Sequence, residues 1–485
     1  MSRFLLLFPI ALLIVACQGE SSAPPPPPAL QADLPNVVLI IADDLGYGDL
    51  NQFGQEGFRT PFLSQMAREG MTFTNFYAGS TVCAPSRASL MTGRHTGHSS
   101  VRGNVAGQLL REEEITLAEV FRDAGYATGI MGKWGIGHPP AANDPAQHGF
   151  EEHYGYVNMW HAHNFYPEFL YRNGEKEALA GNQLQTATDG SNPWASLPEG
   201  TGVAAVKETY APYEIELAAY NFIAQHQDQP FFLMLSLNQP HANNEAMPNG
   251  LEVPAYSPRV SDDWPEAEKG FVTMVQHIDT VVGRMLGQID QLGLDNQTLV
   301  MFTSDNGPHQ EGGHKVEFFD SNGPLRGKKR DLYEGGIRVP LIVRWPGMVP
   351  VQRQMGSPYA FWDLLPTMAE LTGNFPPSGY SLDGVSMLPT IIGNSMAQQR
   401  HTYLYWEFYE QGGKQAVRWN NWKGIRQNVA ELGKQAELEL YDLARDIGET
   451  QNVADQHPEV VQQILDYMEE AHTPMADYPL FPTGP

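Results

Sequence analysis

Asn36-Val37-Val38-Leu39-Ile40-Ile41-Ala42 is an almost unbroken apolar run rich in β-branched residues, closed by Asp43-Asp44-Leu45-Gly46-Tyr47-Gly48-Asp49. A continuous apolar run, as opposed to an alternating one, reads as a strand buried on both faces. Two further runs have the same character. Pro230 to Leu237 follows an amphipathic stretch from Tyr213 to Gln227 and ends in Asn238-Gln239-Pro240-His241. Thr298 to Thr303 ends in Ser304-Asp305-Asn306-Gly307. Buried strands with polar ends and helical patterns between them predict an α/β fold: a large, mostly parallel sheet flanked by helices, with ligands beyond the strands' carboxyl ends. After about Ser395 the pattern changes to short alternating segments, Thr402–Phe408, Ala416–Arg418, Trp422–Arg426 and Glu439–Leu443, followed by a helical stretch from Pro458 to Ala471. These predict a smaller C-terminal antiparallel α+β domain over 396–485, distinct from the α/β domain over 36–395.

The 485 residues are 42% hydrophobic and 18% charged, which describes a globular chain and excludes disordered or fibrous classes. Thirty Lys+Arg against 56 Asp+Glu give a net charge of −26, so no nucleic-acid partner is expected. Only Cys17 and Cys83 occur, too few for a disulfide framework. Met1 to Ala16 has one basic residue and then an apolar stretch of signal-peptide length. Ile14-Val15-Ala16-Cys17 resembles a bacterial lipobox, which implies a lipidated Cys17 and contact with a membrane through that lipid only. Gln18 after it implies a periplasmic or outer-membrane location in a Gram-negative bacterium. Residues 17–35, with five prolines from Pro24 to Pro28, read as a stiff polyproline II linker.

Asp43, Asp44, Asp305 and Asn306 place four hard oxygen donors at two strand ends, a set that suits Ca²⁺, with Mg²⁺ as the alternative. Taken singly, such residues are also common turn and cap formers. Cys83 opens Cys83-Ala84-Pro85-Ser86-Arg87-Ala88-Ser89-Leu90-Met91-Thr92-Gly93-Arg94. This string resembles the sulfatase signature C-x-P-S-R-x-x-L-x-T-G-R at every specified position. From Asn36 to the C-terminus the chain resembles type I, formylglycine-dependent sulfatases of the alkaline phosphatase superfamily.

That resemblance implies oxidation of Cys83 to formylglycine by a formylglycine-generating enzyme. It implies Asp43, Asp44, Asp305 and Asn306 as Ca²⁺ ligands, with residue 83 completing the shell. Arg87 would hold the formylglycine hydrate, and Lys133 in Gly132-Lys133-Trp134 would contact the nucleophile and sulfate. His241 would stand near the leaving-group oxygen. Lys329 in Arg326-Gly327-Lys328-Lys329 would bind sulfate, ahead of Tyr333-Glu334-Gly335-Gly336-Ile337-Arg338-Val339-Pro340. The chemistry needs such a set. A sulfate ester repels nucleophiles and has a poor leaving group, so its hydrolysis calls for charge neutralisation, a positioned nucleophile and an acid. An aldehyde hydrate has two hydroxyls: one attacks sulfur, and deprotonation of the other expels sulfate, whereas a plain serine would stay esterified.

One position departs from the family. Many members continue Gly-Lys-Trp with histidine, and this chain has Gly135. The base for the second hydroxyl must then lie elsewhere. His163 is favoured over His138, which precedes Pro139-Pro140, and both also read as loop or substrate-binding residues. Residues 149–173 are dense in aromatics and include His161 and His163. They read equally as a sugar platform or as core. With His314 in Glu311-Gly312-Gly313-His314, His161 is a candidate substrate contact. These segments resemble bacterial sulfatases acting on sulfated polysaccharides such as algal galactans or glycosaminoglycans. Arg87, Arg94, Lys133, Lys328, Lys329 and Arg330 would form a local basic funnel for such an anion. The competing readings are a phosphonate monoester or phosphodiester hydrolase, and a non-catalytic sugar-binding lipoprotein.

Overall fold

The computed structural model describes Met1 and residues 34–105, 107–136 and 144–482. The signal, lipobox and most of the linker, with Cys17, lie outside the described residues, and so does His138. Asn36–Ala42 is the central strand and is fully buried. It pairs in parallel with Thr298–Ser304 on one side and Phe231–Ser236 on the other. Ala127–Lys133 and Glu152–Tyr156 extend the parallel set. These five strands are the centre of an eleven-stranded sheet whose wings are largely antiparallel. The fold is therefore the expected one, with Arg338–Arg344 and Met71–Tyr77 forming one wing, and Phe169–Arg172 and Glu175–Ala178 the other.

Helices cover both faces. Glu266–Gln291, 26 residues long, buries Phe271, Val275, Ile278, Val282, Met285 and Ile289, a helical spacing that seats one stripe on the sheet. Asp279 on this helix accepts from the N–H of Leu63 (2.8 Å) and caps helix Pro61–Arg68. Helix Cys83–Thr92 has no apolar stripe, and every one of its residues is buried. Pro85 is tolerated in its first turn, and Gly93, at φ +67°, terminates it.

The second sheet runs Leu404–Phe408, Lys414–Trp419, Trp422–Gln427 and Leu438–Asp442, antiparallel throughout. Helix Pro458–Ala471 packs Val460, Ile464, Met468 and Ala471 onto it. Pro35–Pro485 forms one compact unit. The joint between the sheets is an apolar cluster, with Tyr77, Ile337 and Trp362 against Leu404, Trp406 and Ile425, and beside it a buried polar knot. Glu334 accepts from Lys423 Nζ (2.8 Å) and Tyr77 OH (2.7 Å), with Arg338 at 3.3 Å and Arg418 at 3.5 Å. Its own N–H donates to Glu449 (2.7 Å). Burial opposes the Glu334 charge, but these cations hold its carboxyl down to about 2.

Candidate active site

The parallel register brings the acidic residues together. Ala42 pairs with Ser304 at the carboxyl ends of adjacent strands, so Asp43 and Asp305 leave the sheet side by side. The Asp305 N–H donates to the Ala42 carbonyl (3.0 Å), and the Asp43 N–H to that of Gln239 (2.9 Å). Asp44 adopts φ +66°, a left-handed conformation that aspartate tolerates, and its N–H donates to Asp305 Oδ1 (3.1 Å). Asn306 donates through Nδ2 to Asp44 Oδ1 (2.7 Å), while its Oδ1 is buried with no hydrogen-bond partner. Three converging carboxylates beside an orphaned amide oxygen form a hard-oxygen set that fits a divalent cation such as Ca²⁺. Asp305 shows the cost of crowding: burial and the neighbouring Asp43 raise its carboxyl to about 6.

Cys83 enters this cluster at the first position of its helix, where unpaired N–H groups and the helix dipole favour negative charge. Its Sγ is 3.4 Å from Asp43 Oδ1, and donor atoms of Asp43, Asp44, Cys83 and Asp305 lie within 4.8 Å of one another. Burial pushes the thiol well above its usual range, so an unmodified Cys83 is a poor nucleophile. Arg87, one turn on, donates from Nε to Asp305 Oδ2 (2.9 Å) and from Nη1 to the Lys133 carbonyl (2.7 Å) and Ser236 Oγ (2.6 Å). Lys133 is the last residue of a strand two away from Asn36–Ala42 and reaches Asp43 Oδ2 (2.6 Å). Burial disfavours the Lys133 ammonium, but Asp43 holds its pKa above the usual lysine value.

On the opposite side Lys329 Nζ contacts Asp44 Oδ2 (2.8 Å), Glu311 Oε2 (3.2 Å) and His241 Nε2 (3.0 Å). His241 donates from Nδ1 to the Ala242 carbonyl (2.6 Å), leaving Nε2 to face the lysine. Burial and Lys329 lower the His241 pKa, so the proton shared by this pair resides on Lys329. The ring of His163 stacks on that of His241 at 4.6 Å, and His163 Nδ1 is 3.5 Å from Glu245 Oε2. Neither of those two atoms has a hydrogen-bond partner.

Two expected substrate contacts are corrected. His161 is fully buried, its Nε2 bonded to the Phe169 carbonyl (3.0 Å) and its ring edge-on to Tyr156. Burial lowers its pKa to about 3, and it serves the core. His314 is 2% exposed, paired with Glu268 (2.7 Å) and stacked on Phe271 at 3.9 Å. The aromatic segment is likewise mostly core, with Tyr154, Tyr156, Phe165 and Tyr166 buried. Sequence reasoning missed Ser236, Glu245, Glu311 and His309, whose ring stacks on that of His241 at 5.8 Å, as neighbours of the centre. Glu311 neutralises Lys329 and Arg330 (2.6 Å to Arg330 Nη1), a role with no local motif to announce it.

Gly135 lies against the same cluster. At φ +70°, a Cβ there would sit 3.1 Å from both Arg87 Cδ and Lys133 Cε. The backbone itself therefore disfavours the family's histidine at this position.

A sulfatase family model matches residues 35–374. The chain belongs to the sulfatase family. A second model, N-sulphoglucosamine sulphohydrolase C-terminal, matches residues 327–474 of this sulfatase. It is 31% identical over 428 residues to N-acetylgalactosamine-6-sulfatase of Canis lupus familiaris, covering 81% of this chain and 74% of that one. With N-acetylgalactosamine-6-O-sulfatase of Bacteroides thetaiotaomicron it shares 27% identity over 541 residues, covering 97% and 99%. Its fold superposes on Ps i-CgsB in complex with k-i-k-neocarrahexaose at a TM-score of 0.73 and 25% identity, covering 90% and 92%. The protein is an enzyme that hydrolyses sulfate esters.

Proposed function

We propose that this sulfatase removes sulfate from a sulfated carbohydrate, using formylglycine made from Cys83 and a Ca²⁺ ion held by Asp43, Asp44, Asp305, Asn306 and residue 83. The observation that carries this reading is the convergence of Cys83, three carboxylates and the orphaned Asn306 oxygen at the carboxyl ends of the central strands, flanked by Arg87, Lys133 and Lys329. Conversion of Cys83 to an aldehyde hydrate by a formylglycine-generating enzyme would replace a soft sulfur by oxygen and make the donor set uniformly hard. A bound Ca²⁺ would offset the clustered carboxylate charge and the charge of the sulfate. Relatives named N-acetylgalactosamine-6-sulfatase and N-acetylgalactosamine-6-O-sulfatase, and a neighbour in complex with k-i-k-neocarrahexaose, support the carbohydrate class.

The side chains divide the work. Arg87, pinned by Asp305 and Ser236, orients residue 83, while Lys133 and Lys329 hold the sulfate from opposite sides. His241 and Lys329, 3.0 Å apart, deliver the proton to the departing sugar oxygen. His163 takes the base role vacated at Gly135, with the Glu245 carboxylate 3.5 Å from its Nδ1 to attract the proton it gains. His163→Ala would then release one equivalent of desulfated product and stall as a sulfated enzyme, visible by intact mass. The same stall in His241→Ala, with normal turnover in His163→Ala, would move the base to His241.

The reading is tested by the mass of the peptide containing residue 83, by metal analysis, and by parallel assays of sulfated saccharides, an aryl sulfate and a phosphodiester. An unmodified Cys83 in fully active enzyme would refute the formylglycine step, and preference for the phosphodiester would favour the alternative hydrolase. Export and lipid anchoring through Cys17, at the periplasmic or outer-membrane face of a Gram-negative cell, complete the proposal and rest on the lipobox and Pro-rich linker.

A further inference from the structure

The eleven-stranded and four-stranded sheets border a cleft of about 530 Å³, none of whose lining residues belongs to the active centre. Its polar lining includes Asn75, Arg400, His401, Tyr403, Arg418 and Asn421. No aspartate or glutamate lines it, although acids outnumber bases 56 to 30 in the chain. A cavity whose only charged side chains are basic, in so acidic a protein, marks a local reversal of the surface field.

The three basic groups differ in how they are held. Arg418 is 7% exposed, with Nη1 toward Tyr77 OH and Glu334, while its Nε–H is buried and lacks an acceptor. His401 Nε2 is 2.7 Å from Asp363 Oδ1. Burial disfavours the imidazolium, but Asp363 holds the His401 pKa above its usual value. Arg400 is exposed and makes no ion pair among the described residues. Glu334 and Asp363 thus offset two of the three charges from behind the wall, and Arg400 keeps its charge for whatever enters. Asn75, Asn420 and Asn421 add amide donors and acceptors suited to hydroxyl groups.

We propose that this cleft is a non-catalytic binding site for a sulfated glycan, with Arg400 pairing a sulfate group and the asparagines bonding sugar hydroxyls. The proposal rests on the carbohydrate reading above. A polymer held here raises the effective concentration of its own sulfate esters at the active centre, whereas a small aryl sulfate gains nothing.

The test uses the full-length, formylglycine-containing enzyme and the double variant Arg400→Ser/Asn421→Asp, which replaces an exposed cation and adds an acid without touching Arg418 or His401. Both are assayed on an aryl sulfate and on carrageenan, chondroitin sulfate and heparan sulfate, with the desulfated polymers as binding controls on Cys83→Ala protein. We expect kcat/KM on the accepted polymer to fall about tenfold, the loss of one charge-assisted contact, with aryl sulfate turnover unchanged. Cys83→Ala protein should bind the sulfated polymer, ignore its desulfated form, and lose affinity when the double substitution is added. Equal polymer turnover and equal binding in the variant would overturn the cleft site alone. If the unaltered enzyme turns over the aryl sulfate but none of the saccharides, the carbohydrate reading falls and the cleft site with it.

Discussion

Restoring the histidine that many sulfatases carry after Gly-Lys-Trp should damage this enzyme. At Gly135 the φ of +70° costs a side-chain-bearing residue about 1–2 kcal/mol. A Cβ would also press at 3.1 Å on Arg87 Cδ and Lys133 Cε, and neither chain can retreat freely. Arg87 is fixed by Asp305, Ser236 and the Lys133 carbonyl, and Lys133 by Asp43 at 2.6 Å. Gly135→Ala isolates the backbone and contact cost, so it should destabilise by at least about 1–2 kcal/mol in urea denaturation at unchanged m. Displacing Arg87 and Lys133 by a fraction of an ångström should lower kcat more than it raises KM, by up to about 100-fold. Gly135→His should be no better than Gly135→Ala, and should fail to rescue His163→Ala. Stopped-flow and steady-state assays on an aryl sulfate provide the readout. A Gly135→His enzyme as stable and as fast as the parent would refute both the strain and the packing argument.

Lys423→Met should cost about 3–5 kcal/mol, because it leaves Glu334 and Glu449 buried without their shared ammonium, and urea denaturation would register it. Asp49 is buried, and its desolvated carboxyl is raised to about 8 from an unfolded value of 3.8. The folded state therefore holds a proton that the unfolded chain has lost, so stability should fall as pH rises from about 4 to 8. In Asp49→Asn the slope over that window should flatten. Chelation should abolish activity and lower the thermal midpoint, and added Ca²⁺ at about 100 times its Kd should restore about 2.7 kcal/mol. A midpoint indifferent to Ca²⁺ would argue against the ion.

The parallel centre was legible because strands buried on both faces leave unbroken apolar runs: Asn36–Ala42 was read to the residue, and Phe231–Ser236 and Thr298–Ser304 to within one. Helix Pro458–Ala471 was equally plain from its spacing and its leading proline. The antiparallel wings were not. Glu175–Ala178, charged and mostly exposed, has no strand pattern, and its pairing with Phe169–Arg172 depends on tertiary context. At the site, the acids at the strand ends gathered as read, because register sets Asp43 beside Asp305, whereas Cys83, Arg87, Lys133, His241 and Lys329 were legible only through the family resemblance. His161 and His314 misled because a histidine in a core and one in a cleft look alike in sequence, and only the partners, Phe169 and Glu268, separate them. Glu245 and Glu311 have no signature beyond lying in loops after strand ends.

The knot around Glu334 has a consequence for how the enzyme is assembled. Glu334 belongs to the segment that carries Lys329 to the centre, yet three of its neighbours, Lys423, Arg418 and Glu449, come from the last 70 or so residues. A nascent chain that has emerged only as far as Arg400 would have built the whole parallel sheet, yet only Tyr77 and Arg338 would meet the Glu334 carboxylate. The segment that carries Lys329 is therefore fully held only once Arg418, Lys423 and Glu449 have docked, and a chain cut short at Arg400 should be cleared by proteases and not survive as a partial enzyme.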